Sequence, residues 1–251
     1  MNATRNAYLD ALGIDRWVPR IAPVGMPVVA DAAPAMLAPA TVTVPAPRSD
    51  ARMPPADLPP ALDWPSLRDC VAACTACDLC KSRTQTVFGV GNTRADWLVI
   101  GEAPGAEEDR QGEPFVGRAG QLLNAMLMAI GLPRETVFIA NILKCRPPGN
   151  RDPRPEEVSR CLPFLARQIA LLEPKMILVV GRIAAQTLLA TDAPLARLRG
   201  KLHTFGEADT PMVVTYHPAY LLRTPADKRK AWEDLKFARA TFARVSGAGN
   251  A

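Results

Sequence analysis

No apolar run in this 251-residue chain approaches the length of a membrane span. Its opening, MNATRNAYLDALGIDRW, carries charges throughout and lacks the apolar centre of a secretory signal. The expectation is a cytoplasmic protein that does not enter a membrane. In a reducing cytosol, clustered cysteines point to metal or cluster ligands before disulfides. Phosphate-binding signatures are missing as well. GEAPG (101–105) is not followed by the Lys-Ser/Thr pair of a Walker A loop, and FGVGNT (88–93) precedes its strand, so it is not a dinucleotide turn. Between 18 and 64 there are almost no aromatics and no periodicity, only proline and alanine in excess. Such a composition buries too little apolar surface to offset its ordering entropy, so the segment reads as a disordered linker. The net charge of +5 is a weak hint of a polyanionic partner, and an ordinary solvated surface explains it equally well.

What is there begins with a short amphipathic pattern over 1–17: Tyr8, Leu9, Leu12, Ile14 and Trp17. It is a docking peptide, a packed helix or a frayed terminus, with no partner named by the sequence. Past the linker the texture changes. Apolar runs WLVIGEAPG (97–105), VFIANILK (137–144), MILVVGR (176–182) and MVVTYHPAY (212–220) alternate with helical patterns at 119–131, 155–172, 182–190 and 227–245. Alternation of this kind predicts a three-layer α/β/α sandwich about a mainly parallel, four-stranded sheet. The folded part is expected over 65–246, with 247–251 a tail. In open α/β sheets the ligand sits beyond the carboxyl ends of the strands. Four distant segments should therefore converge: Glu102–Gly105, Asn141, Gly181–Arg182 and His217–Leu222.

Each segment has a bland and a sharp reading. Phe115, on the loop EEDRQGEPFVGRAGQ (107–121), is a core plug or a stacking platform for a planar ligand. Asn141 is a cap or turn residue, or a donor–acceptor pair that reads an amide or imide edge. His217, one of two histidines, is structural or functional, and its place at a strand end favours function. Leu221 and Leu222, set among Arg223, Lys228, Arg229 and Lys230, form either the first turn of an amphipathic helix or a wedge for a base stack. The loop KCRPPGNRDPRP (144–155) is basic, stiff and bracketed by Cys145 and Cys161. A metal centre pinning a loop against nucleic-acid backbone would explain that composition.

Four of the six cysteines crowd into CVAACTACDLC (70–80). The spacing alone admits Cys70-x3-Cys74-x2-Cys77, Cys74-x2-Cys77 or Cys77-x2-Cys80.

CTAC, RTQTVFGVGN, GEAPG, PFVGRAGQLL, NILKCRPPGNRDP and HPAYLLR, in this order and at these separations, resemble the family 4 uracil-DNA glycosylases over about 66–245. The resemblance implies an α/β/α sandwich and a [4Fe–4S] cluster on Cys74, Cys77, Cys145 and Cys161. A four-cysteine zinc site would satisfy the same spacing, so the metal's identity rests on the resemblance. It implies that uracil is flipped out of single- or double-stranded DNA and hydrolysed from its sugar by a monomeric enzyme. Glu102 would position or activate water, or help hold uracil beside Ala103 and the Gly105 N–H. Phe115 would stack on the base, Asn141 would read its edge, and His217 would donate to O2. Asn150 would orient water or DNA. Arg146, Arg151 and Arg223 would hold DNA, and Leu221 would fill the gap. The aspartate base of the best-known uracil glycosylases is missing, with Ala103 in its place, so the general base stays open. The loop 107–117 lacks the histidine of a relative that traps DNA covalently, so ordinary turnover is expected. Cys70, read as one helical turn before Cys74, would line the cluster's surround, and Cys80 would stand by.

Competing readings are a non-catalytic Fe–S protein of DNA binding or replication, a flavodoxin-like module, and a radical S-adenosylmethionine enzyme on Cys70, Cys74 and Cys77. The last has Ala76 where an aromatic is wanted, and it leaves Cys145 and Cys161 idle.

Overall fold

The computed structural model describes residues 62–206 and 208–247. The expectations for 1–17, and for the linker up to 61, lie outside the described residues. The first helix, α1 (Trp64–Ala72), starts at Asp63, whose carboxylate accepts from the Ser66 N–H at 3.0 Å, with Pro65 in the first turn. Trp64 packs on Phe88 and Phe138, and Leu62 accepts a bond from Arg167. Residues 62–64, assigned by sequence to the linker, therefore belong to the folded part, because a cap and an aromatic anchor tie them down.

Strands β1 (Val90–Gly91) and β2 (Trp97–Gly101) follow, then helices α2 (Ala106–Gln111) and α3 (Arg118–Ala129). Next come β3 (Phe138–Asn141), α4 (Pro155–Leu172), β4 (Met176–Val180), α5 (Arg182–Leu188) and α6 (Leu195–Leu198). Strands β5 (Leu202–Phe205) and β6 (Thr210–Thr215), then α7 (Pro218–Arg223) and α8 (Lys228–Val245), complete the described chain.

The sheet order is β1-β3-β2-β4-β6-β5. The four inner strands are parallel, as the sequence predicts. Short antiparallel edges, β1 on β3 and β5 on β6, extend the sheet to six. These edges are too short and too polar to stand out as apolar runs. In the inner strands every residue of β2, β3 and β4 is buried. Alternate side chains feed two cores. Leu98, Ile100, Ile177 and Val179 pack under α1, α4 and α5. Val99, Ile139, Leu178 and Val213 pack under α3, α7 and α8. Each such Val, Leu or Ile contributes about 1.5–3 kcal/mol by leaving water. Two buried faces explain why the runs are continuous rather than alternating. All four parallel strands end at one edge of the sheet, so the segments that follow them meet there.

Candidate functional site

At that edge lies an open pocket of about 400 Å³. Glu102, Ala103, Gly105, Phe115, Asn141, Asn150, Arg151, His217 and Arg223, all named from the sequence, line it. Arg146 and Leu221 do not.

The floor is built by close approach. Gly101 ends β2, and a Cβ there would lie 2.6 Å from the Phe115 ring and closer still to the Asn141 Oδ1. Only glycine lets both side chains lean over the strand end. Phe115 is buried and has a left-handed backbone, with φ 55°. That conformation costs a phenylalanine roughly 1–3 kcal/mol and has to be held. Arg134 holds it, donating to the carbonyls of Pro114 (2.6 Å) and Phe115 (3.3 Å). Gly120 also leaves room, since a Cβ there would collide with the Phe115 carbonyl. The Phe115 and His217 rings lie 5.6 Å apart at 31°.

Asn141 is the last residue of β3 and is 2% exposed, yet its Oδ1 has no hydrogen-bond partner. A buried, unpaired amide oxygen is costly unless something arrives to pair with it. His217 is the N-cap of α7, and its Nδ1 accepts from the Ala219 N–H at 3.1 Å. A neutral ring then carries its proton on Nε2. Burial, aided by the Arg223 charge, holds His217 down to about 4, so it is neutral at physiological pH.

Glu102 is pushed up to about 7, first by burial and then by Asp152, with Arg182 pulling the other way. Asp152 itself pairs with Arg182 at 3.0 Å. Asp152 passed unremarked in the sequence, because its proximity to Glu102 depends on how the 144–155 loop folds back. Glu108 also passed unremarked, because its partners at 116 and 117 come close only through the fold of the 107–117 loop. Its carboxylate accepts from Gly105 N (3.1 Å), Val116 N (3.0 Å) and Gly117 N (3.3 Å), clamping two pocket loops together. A Gly–x–x–Glu capping pattern was the available signal.

Two assignments to DNA change. Leu221 is 1% exposed and packs in the core between α3 and α8, so it is not the wedge; Leu222, 37% exposed, is the residue that faces outward. Arg151 is paired with the buried Glu157 (2.9 Å), so its charge is spent pinning the loop to the start of α4. Arg146 donates to Asn150 Oδ1 at 2.8 Å, which orders the loop's tip. Arg223 is exposed at the pocket's rim.

A second, smaller cavity lies where the 144–155 loop begins. Cys74, Cys77, Cys145 and Cys161 all line it, together with Cys80, Arg83 and Lys144. Cys70 does not line it, because α1 ends at Ala72 and Cys74 has left the helix, so the expected one-turn relation fails. The radical-enzyme triad, which needs Cys70, loses its geometry with it. Arg83 Nη1 donates to Cys145 Sγ at 3.0 Å, and the Lys144 N–H donates to Cys161 Sγ at 3.1 Å. Donors aimed at sulfur suit thiolates. Burial pushes the Cys161 thiol up to about 12 and raises Cys145 as well, so any metal would have to displace their protons. Among the described residues no three His, Cys, Asp or Glu side chains gather as a single ion requires.

No helix among the described residues is long and apolar enough to cross a membrane. The family model of the "Uracil DNA glycosylase superfamily" matches residues 88–236. Three curated relatives are each named "Type-4 uracil-DNA glycosylase". That of Archaeoglobus fulgidus is 44% identical over 172 residues, 66% of this chain and 86% of its own. That of Pyrobaculum aerophilum is 41% identical over 180 residues, 69% of this chain and 92% of its own. That of Sulfurisphaera tokodaii is 40% identical over 177 residues, 68% of this chain and 80% of its own.

Proposed function

The chain belongs to the uracil DNA glycosylase superfamily, and from that premise we propose how its pocket works on DNA. The enzyme excises uracil from DNA in repair. The observation that carries the residue roles is the unpaired, buried Oδ1 of Asn141 beside the Phe115 and His217 rings. Uracil offers an N3–H donor next to an O4 acceptor. The Asn141 amide pairs with both, Oδ1 accepting and Nδ2 donating. Cytosine presents the opposite pattern and is refused. Phe115 stacks on the flipped base.

Breaking the C1′–N1 bond leaves positive charge on the sugar and negative charge on uracil, shared between N1 and O2. Neutral His217 donates its Nε2 proton in a hydrogen bond to O2 as that charge grows. Water adds its oxygen to C1′, and Glu102 orients it and takes its proton. Ala103 and the Gly105 N–H border the base. Asn150 and Arg146 order the loop at the pocket mouth, and Arg223 meets the DNA backbone. Leu222 replaces Leu221 as the residue that fills the vacated stack. The substrate is uracil-containing DNA, single- or double-stranded, bound by a cytoplasmic monomer.

Cys74, Cys77, Cys145 and Cys161 fit a [4Fe–4S] cluster: four thiols line one cavity, with N–H donors on two of the sulfurs. Bound there, the cluster would staple the segment after α1 to the loop that carries Arg146 and Asn150.

Incubating cluster-loaded protein with uracil-containing oligonucleotides, then alkali, tests the whole reading: strand scission at uracil is expected, and intact strands would end it.

Two further outcomes follow from the geometry. Glu102 acts as a carboxylate, and its raised pKa keeps it protonated below about 7. Activity should therefore be complete above neutrality and fall about tenfold per pH unit below it, as general-base behaviour requires. His217, neutral from about 4 upward, adds no second limb in that range. The Glu102→Gln enzyme should lose the limb along with about 10²–10⁴ of its rate. A wild-type profile flat through neutrality would remove Glu102 from the water step. The second outcome concerns the wedge. Leu222→Ala should slow excision from duplex about tenfold relative to single strands, since only the duplex has a stack to open. Equal loss on both substrates would reject the wedge.

A further inference from the structure

Lys144 is the residue of the pocket region whose role is least explained by the chemistry above. It is 1% exposed. Its Nζ donates to the Asn141 carbonyl at 2.8 Å and to Gln168 Oε1 at 2.6 Å. Gln168 is itself fully buried, and its Nε2 donates to the Phe88 carbonyl at 2.9 Å, which fixes which end of the amide faces the lysine. Among the described residues no carboxylate lies within ion-pair distance of this ammonium. A buried cation without a counter-charge is unfavourable, and proteins pair or hydrogen-bond such groups.

The nearest acidic groups are thiols. The Lys144 backbone N–H donates to Cys161 Sγ at 3.1 Å, and Lys144 lines the cavity that the four cysteines also line. Gln168 and Cys161 share α4, and Cys145 is the residue after Lys144. One residue thus borders the cysteine cavity with its backbone N–H and, with its side chain, holds the backbone of the residue whose amide faces the base pocket.

We propose that Lys144 is a positioning residue for both sites: its ammonium is the counter-cation of the anionic cluster, and its bonds to the Asn141 carbonyl and Gln168 hold the base-reading amide in register. The cluster cavity and the base pocket are then joined through one buried charge. This rests on the cluster-bearing glycosylase reading above. A thiolate-ligated cluster carries net negative charge, so a fixed cation beside it raises its reduction potential and favours retention of iron. The same ammonium, anchored on the cluster side, keeps the end of β3 from drifting where Asn141 turns toward the pocket.

Two variants separate charge from strut. Lys144→Met removes both. Gln168→Glu keeps the bond to Nζ and sets a carboxylate beside its charge, while giving up the donor to the Phe88 carbonyl. Full-length proteins purified anaerobically would be compared for iron content, for the potential of the cluster, and for uracil release on single-stranded DNA. Lys144→Met should shift the potential to more negative values and lower kcat/KM by about 10–100-fold, the usual cost of losing such a supporting partner. Gln168→Glu should shift the potential in the same direction and lower kcat/KM by less than Lys144→Met does, since the bonds from Nζ remain. An unchanged potential in whichever variant retains iron overturns the counter-cation role. Unchanged kcat/KM in Lys144→Met overturns the strut. Should Lys144→Met fail to hold iron, the potential of Gln168→Glu decides. Wild type measured alongside separates these failures from failure of the parent reading, which would show as no iron or no uracil release before any substitution.

Discussion

Asn141→Asp is expected to lower kcat/KM for uracil release about 10³-fold or more, since sites built on paired polar groups reject a mismatched edge by at least that factor. The substitution changes one heavy atom and almost no volume. It exchanges the amide's donor for a second acceptor, which would face uracil O4. It also buries a carboxylate at a position 2% exposed, where burial favours its protonated form. The ionised form offers no donor to uracil O4; only the protonated form restores an acceptor–donor pair, so the loss should deepen as pH rises and the carboxyl ionises. Asn141→Leu removes the pair altogether and should be at least as inactive, with N3–H and O4 left without their protein partner. Both variants should keep their iron, because the Asn141 carbonyl that Lys144 holds is unchanged. The measurement is single-turnover release from a uracil oligonucleotide, with iron content as the control. Excision by Asn141→Leu within tenfold of wild type would mean that the unpaired Oδ1 is not the base reader.

Cys161→Ala is expected to abolish cluster binding and to lower the melting temperature by about 10 °C or more, because metal binding energy in such sites is folding energy. Cys161 is buried, accepts from the Lys144 N–H, and belongs to α4, while Cys145 opens the loop that returns over the pocket. Losing one ligand frees that loop, and with it Asn150 and Asp152 at the pocket wall. Uracil release should therefore fall together with iron. Cys74→Ala and Cys77→Ala should behave alike. Cys70→Ala should keep both iron and activity. Cys80→Ala is the more searching control, since Cys80 lines the cavity although it belongs to neither predicted ligand pair. It too should keep its iron. A Cys80→Ala protein that loses iron while Cys161→Ala keeps it would redraw the ligand set.

Much of this site was legible before any coordinates. Continuous apolar runs separated by helical patterns specify parallel strands buried on both faces, and the residues after such strands must share an edge. That reasoning brought Glu102, Asn141 and His217 together from positions up to 115 residues apart in sequence, and all three line one pocket. The order of elements, the strand ends and the paired cysteine motifs are local patterns, so a single sequence displays them.

What the sequence could not display depends on contacts between distant segments. Leu221 and Leu222 are adjacent and chemically identical. Which one is buried follows from how a helix of six residues docks between α3 and α8, and so short a helix has no periodicity to reveal its inner face. Cys70 and Cys80 look equivalent by spacing, but α1 stops at Ala72, and only Cys80 turns into the cavity. Lys144 reads as one more surface cation until the fold buries it against Gln168, 24 residues away. By itself, then, the sequence determined the layers, the edge at which the pocket opens and most of its lining. Only the tertiary structure decided which leucine faces out, which cysteines share a cavity, how burial and Asp152 set Glu102, and where a buried lysine joins the two sites. Hydrophobic periodicity is a property of neighbours in the chain, whereas burial, charge and hydrogen-bond partners are properties of neighbours in space.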